Sequence, residues 1–152
     1  MTHNRIAEIN LHTSAVISLK PEIEHERRVA VADLLAANVF SLDMDGPYRL
    51  DLALSENRLV LDISNADSFR TILIPIKSFK SIIKDYFLIC ESYFEALKTA
   101  TTSGKIEAID MGRRAIHNEG SELLIELLKG KAEVDFETAR RLFTLICILH
   151  FR

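Results

Sequence analysis

The side chains best able to do chemistry are concentrated in one stretch, IEAIDMGRRAIHNEGSELL, residues 106–124. On a helix, Asp110, Arg113, Arg114 and His117 recur at i, i+3, i+4 and i+7 and gather on one side. Asn118, Glu119, Ser121 and Glu122 follow around Gly120, where the pattern predicts a break and a new helix capped by Ser121. Two arginines offer planar, bidentate donors to a phosphate or carboxylate. The N–H groups opening a helix at Ser121 would add to them. A histidine titrating near neutral pH would supply a proton donor or acceptor. Gly112 costs a helix interior about 1 kcal/mol relative to alanine, which implies close approach of another backbone or of a ligand. Three readings fit these residues. One is an ion-pair network, Asp110 on Arg114 and Glu119 or Glu122 on Arg113, that fastens helices together. The second is a surface for a protein partner. The third is a site for a small anion, held by Arg113 and Arg114, with His117 or Glu119 as acid or base.

A second arginine pair, Arg140 and Arg141 in ARRLF, falls on the helix face opposite Phe136 and Phe143. Water and Glu137 are its simplest partners. A basic patch forms only if the fold sets this pair beside Arg113 and Arg114. Other chemistries find less support. The histidines, His3, His12, His25, His117 and His150, form no i, i+4 pair and no ligand spacing with cysteine. His117-Asn118-Glu119 resembles the opening of a zinc-deaminase motif, but the paired cysteines that such a site needs do not follow. No metal and no cofactor are expected. No glycine-rich turn follows a strand, and no serine sits in a nucleophile elbow. EIEHERR, residues 22–28, reads as a solvated helix face. In KDYF, residues 84–87, the helical phase turns Lys84 and Asp85 outward and Tyr86 and Phe87 inward. Cys90 and Cys147 lie in apolar helical runs and read as reduced core thiols.

The elements that must position these groups divide the chain. Residues 5–19 alternate loosely and predict one or two short strands. Pro21 opens a helix with Ile23, Ala30, Val31, Leu34 and Leu35 on one face and Glu22, Glu24 and Glu26 in its first turns. Asn38 is its stop. YRLDLAL, RLVLDI and RTILIPI alternate with period two. The short link at Ser55–Asn57 predicts a hairpin with Asn57 left-handed, and Asp45-Gly46-Pro47 is a turn before it. From Ser78 the period becomes helical, with a helix over Ile82–Leu97 and a break at Thr101–Gly104. Helices over Ile106–His117 and from Ser121 to Gly130 follow, then one capped by Asp135. Strands first and helices after argue for α+β: an antiparallel β-meander with an N-terminal helix and a C-terminal layer of three to four helices. One domain over 1–152 is expected, β-rich to about residue 77 and helical from about 78.

Composition bounds the function. With 152 residues, 48% of them hydrophobic and 27% charged, the chain is long enough and apolar enough to fold without disulfides or metals. The net charge of −3 comes from the residues before Ser78, and neither half carries the positive excess that nucleic-acid binding requires. MTHNRIAEIN has no apolar signal core, and no apolar run reaches the roughly 20 residues needed to span a bilayer. A cytoplasmic protein with no membrane and no nucleic-acid partner is expected.

The segments EHER (24–27), GPY (46–48), KDYFLICESY (84–93), IEAIDMGRRAIHNEGSELL (106–124) and LKGKAEVDFETARRLFTLICILH (128–150) resemble a small uncharacterised protein family of alphaproteobacteria. The resemblance runs from Glu22 to the end. It implies a bacterial cytoplasmic protein of about this size and brings no activity, substrate or catalytic residue with it. Function therefore rests on the residues. The leading expectation is a non-enzymatic binding or adaptor protein acting through Asp110–Glu122 with Arg140 and Arg141. The alternative is a small enzyme or sensor for an anionic metabolite. A homodimer enters as a third expectation, because LFTLICILHF is more apolar than a one-sided helix requires; such a run makes either a central helix or a dimer seam.

Overall fold

The computed structural model describes residues 4–12, 21–99 and 102–150. In chain order the elements are β1 (Ile6–His12), α1 (Pro21–Ala36), β2 (Phe40–Ser41), β3 (Tyr48–Ser55), β4 (Arg58–Ser64) and β5 (Phe69–Pro75). A 3-10 turn at Ile76–Ser78 leads into α2 (Lys80–Lys98), α3 (Ser103–Leu128), β6 (Glu133–Val134) and α4 (Phe136–Leu149). The chain is thus α+β. A strand in 13–19 and a helix break at Thr101 lie outside the described residues.

The alternating segments pair as a meander, β3 with β4 and β4 with β5, both antiparallel. Tyr48, Leu50, Leu52, Leu59, Leu61, Ile63, Ile72 and Ile74 are buried on the same side of the sheet. The two-residue turn between β3 and β4 sets Glu56 (φ 51°) and Asn57 (φ 62°) left-handed, the conformation that a tight hairpin's twist demands. One expectation is corrected. The sheet is mixed, in the order β1-β3-β4-β5, because β1 joins β3 in parallel. A parallel neighbour needs a crossover, and α1 lies in it. Asn38 fastens that crossover at the end of α1. Its Nδ2 donates to the Leu34 and Ile6 carbonyls (2.8 and 2.9 Å), and its Oδ1 accepts from the Ile6 N–H (2.7 Å).

Helix α4 is central. It packs against α1 and α3 and reaches β1 and β3, and Leu142, Phe143 and Leu145–Leu149 are all buried. The apolar surplus of LFTLICIL is consumed within the chain's own core. Asp135 caps the helix as expected, accepting from Thr138 N–H at 2.9 Å. Phe136, the first residue of the helix, is 37% exposed.

The break expected at Gly120 is absent, and α3 runs unbroken for 26 residues. Gly120 serves packing. A Cβ there would overlap the ring of Phe143 from α4. Ser121 lies inside the helix, donating its hydroxyl to the His117 carbonyl at 2.7 Å, so it caps nothing and opens no N–H cradle. Gly112 is a second notch. A Cβ there would sit 2.8 Å from Ile89 Cδ1 of α2. Gly120 lets α4 close on α3, whereas at Gly112 only the flexible end of Ile89 would have to shift. Gly120→Ala should therefore lower stability by about 1–2 kcal/mol, the overpacking of a wedged ring outweighing alanine's helix preference. Gly104→Ala, in open space at the start of α3, should leave stability unchanged or raise it by less than about 1 kcal/mol. Chemical denaturation of the two variants beside the parent chain checks both.

Candidate functional site

Two helices bring the predicted groups together. Helix α3 contributes Arg113, Arg114 and His117, and α4 contributes Arg140 and Arg141. All five line one open cleft of about 270 Å³. The arginine pairs, 27 residues apart in sequence, meet because Phe143 of α4 seats against Gly120 of α3. That contact carries Arg140, one turn back along α4, toward Arg113 and His117 on α3. The far wall is α1, whose Glu26, Val29, Ala30 and Asp33 fall at i, i+3, i+4 and i+7. Tyr86 of α2 and Thr144 of α4 complete the lining.

Each arginine pair has a local carboxylate. Asp110 Oδ1 accepts from Arg113 Nη2 (2.7 Å) and Nε (3.0 Å), and its Oδ2 lies 3.3 Å from Arg114 Nε. The Arg113 hydrogen bond, reinforced by the charge of both guanidinium groups, holds the Asp110 carboxyl below its ordinary range. Arg113 also lies over the ring of Tyr93, 4.8 Å from its centroid. On α4, Glu137 Oε2 stands 3.6 Å from Arg140 Nη1 and 3.3 Å from Arg141 Nη1. Across the cleft, Arg141 Nε is 4.0 Å from Asp33 Oδ2, an ionic contact too long for a hydrogen bond. The Nε groups of Arg140 and Arg141 and the Nδ1 of His117 are buried without a hydrogen-bond partner among the described residues.

His117 corrects another expectation. It is 8% exposed and stacks edge-on between Tyr86 and Phe143, with ring centroids 5.4 and 5.2 Å away. Its Nε2 lies 2.7 Å from Thr144 Oγ1, while that hydroxyl donates to the Arg140 carbonyl at 3.2 Å. Burial first, then the charges of Arg140 and Arg113, push the pKa down to about 4, so the ring is neutral at pH 7 rather than poised near it. Tyr86 donates its hydroxyl to Glu26 Oε1 at 3.2 Å, and burial with the Glu26 charge raises its pKa. Cys90 and Cys147 are buried and unbridged. Burial pushes the Cys90 thiol up to about 11 and raises Cys147 well above its usual value.

Not every predicted residue arrives. Glu119 and Glu122 are exposed and form no ion pair with Arg113 among the described residues; that expected pairing is replaced by Asp110. Asn118 is half-buried and does not line the cleft. Glu26, Asp33, Tyr86 and Thr144 were missed. The i, i+7 spacing of Glu26 and Asp33, with buried Ala30 between them, was the available signal. Among the described residues, no group of three or more His, Cys, Asp or Glu comes together to hold a metal, and no helix is long and apolar enough to cross a membrane.

A model of the "Uncharacterised protein family (UPF0262)" matches residues 3–152. The chain belongs to this family. It is 54% identical over 152 residues to a UPF0262 protein of Paramagnetospirillum magneticum, covering 97% of this chain and 96% of the relative. A Brucella canis UPF0262 protein is 51% identical over 153 residues, covering 97% and 94%. One from Rhodospirillum rubrum is 49% identical over 152 residues, covering 98% and 94%. These relatives are alphaproteobacterial, as the resemblance implied. No solved structure matches the chain.

In this UPF0262 chain the buried, neutral His117 links stability to pH. An unfolded histidine binds its proton below about 6.5, whereas the folded one resists until about 4. The stability it contributes is therefore complete above pH 6.5 and is lost as pH falls toward 4, by roughly 3 kcal/mol in all. His117→Gln should flatten the melting temperature between pH 6.5 and 4 relative to the parent chain. Parallel profiles for the two proteins would contradict this.

Proposed function

We propose that this chain is a non-enzymatic binding protein whose cleft between α1, α3 and α4 takes up a small ligand through an anionic group, a carboxylate or phosphate. One observation carries the reading. Four guanidinium groups from two helices converge on one cleft, and two of them leave a buried Nε without a hydrogen-bond partner among the described residues. Each guanidinium has five N–H donors, while the contacting carboxylates are few and Glu137 Oε2 is shared by two arginines. Unpaired buried donors are costly, and an anion in the cleft would relieve that cost. Binding is favoured over catalysis because the one histidine lining the cleft, His117, is lowered to about 4. General acid–base work favours a pKa near the operating pH.

The test is a thermal-shift screen of carboxylates, amino acids and phosphate esters at matched ionic strength. A ligand at about 100 times its Kd adds roughly 2.7 kcal/mol, which for this size raises Tm by about 5–10 °C. The rise should vanish in Arg140→Gln and in Arg113→Gln. A panel with no effect on the parent chain, or a rise undiminished in both variants, would sink the reading.

A separate observation favours the adaptor reading. Met111 is 60% exposed on the solvent side of α3, and Asn118 and Glu122 follow it on that side at i+7 and i+11. A partner docked there would lose affinity in Met111→Asp, while the ligand-induced rise in Tm would stay intact. The solution mass of the purified chain, measured by light scattering with and without this substitution, tests whether that partner is a second copy.

A further inference from the structure

We infer that the ligand of this cleft is a zwitterion, a small molecule carrying an ammonium group as well as its carboxylate. The inference rests on the anion-binding reading and adds the half of the site which that reading does not use. The cleft has two walls of opposite sign. The α3 and α4 side presents the guanidinium groups, with Arg140 and Arg141 drawn together by Glu137. The α1 side presents Glu26 and Asp33, two helical turns apart, with Val29 and Ala30 between them.

The α1 carboxylates are poorly engaged. Asp33 is exposed to water and meets a cation only at 4.0 Å, from Arg141 Nε. Glu26 is half-buried and accepts the Tyr86 hydroxyl, yet among the described residues no lysine or arginine forms an ion pair with it. A carboxylate taken partly out of water favours a cation or a strong donor beside it. Charge balance points the same way. The lining sets four guanidinium groups against Glu26, Asp33 and Glu137, and Asp110 adds a fourth carboxylate behind Arg113 and Arg114. A dianionic phosphate ester entering this nearly balanced cleft would be held on one wall and repelled by the other. A zwitterion satisfies both, its carboxylate on the arginines and its ammonium on Glu26, while its carbon skeleton lies along Val29 and Ala30. A cleft of about 270 Å³ lies below the roughly 300–1,000 Å³ of drug-sized pockets and suits a ligand of amino-acid size.

The experiment is isothermal titration calorimetry on the full chain. The probes are the protein amino acids and 4-aminobutyrate, each paired with the carboxylic acid that lacks the amino group, with inorganic phosphate as the simple anion. The expected result is that at least one amino acid binds, and that its des-amino partner binds at least about tenfold more weakly, as the loss of one charge-assisted hydrogen bond implies. Glu26→Gln, which keeps an acceptor for Tyr86, should weaken the amino acid about tenfold without weakening the des-amino acid. Arg140→Gln should weaken both. If the des-amino acids or phosphate bind as well as the amino acids, and Glu26→Gln changes nothing, the zwitterion inference is overturned and the anion site stands. If no probe binds, or binding is indifferent to Arg140→Gln as well, both readings fall together.

Discussion

The seat of the Phe143 ring in the notch left by Gly120 is the contact on which the rest of this structure depends. It lets α3 and α4 approach closely along an interface that a side chain at residue 120 would hold apart. One turn before Gly120, His117 stacks edge-on against the same ring, and Tyr86 of α2 closes the cluster with centroids 5.4 Å from His117 and 6.0 Å from Phe143. Aromatic pairs in this geometry contribute about 0.5–1.5 kcal/mol each beyond the area they bury. Their larger effect here is positional. The cluster fixes the relative rotation of α2, α3 and α4, and with it the direction in which the polar side chains one turn away project.

The cleft lies just outside that cluster. Arg113 and Arg114 precede His117, and Arg140 and Arg141 precede Phe143, so the turn that packs also sets the turn that is charged. The ion pairs within each helix are of the i, i+3 and i, i+4 kind. Pairs of this type contribute only about 0.2–0.5 kcal/mol on a solvated helix. They orient the guanidinium groups without committing them strongly. The third wall comes from α1, held in place at one end by the bonds between Asn38, Leu34 and the β1 backbone at Ile6. The sheet meets the helices of the site where β1 packs on α1 and where β1 and β3 pack on α4.

Burial sets the character of the cleft's one histidine. His117 sits where water cannot stabilise its cation and where Arg140 and Arg113 repel it. Behind the cleft, the thiols of Cys90 and Cys147 are buried where their anions are disfavoured. The guanidinium groups that line the cleft keep their charge at any ordinary pH.

Local periodicity by itself determined much of this protein. The period-two runs became β3, β4 and β5. Asn57 took the left-handed turn position, Asp135 capped α4, Gly130 ended α3 with φ 81°, and Cys90 and Cys147 went into the core. Each of these depends on neighbours within a few residues. The clustering of Asp110 with Arg113 and Arg114 was legible for the same reason, since a helix alone dictates it. Only the tertiary structure decided the parallel pairing of β1 with β3, the continuity of α3 through Gly120, and the meeting of the two arginine pairs with Glu26 and Asp33. A glycine followed by a serine has the same local signature whether it ends a helix or admits a neighbour's ring. The ring that distinguishes the two lies 23 residues further along the chain. The neutrality of His117 was equally out of reach, because a pKa is set by the solvent and charge that surround a ring, and those come from helices that the local pattern does not place.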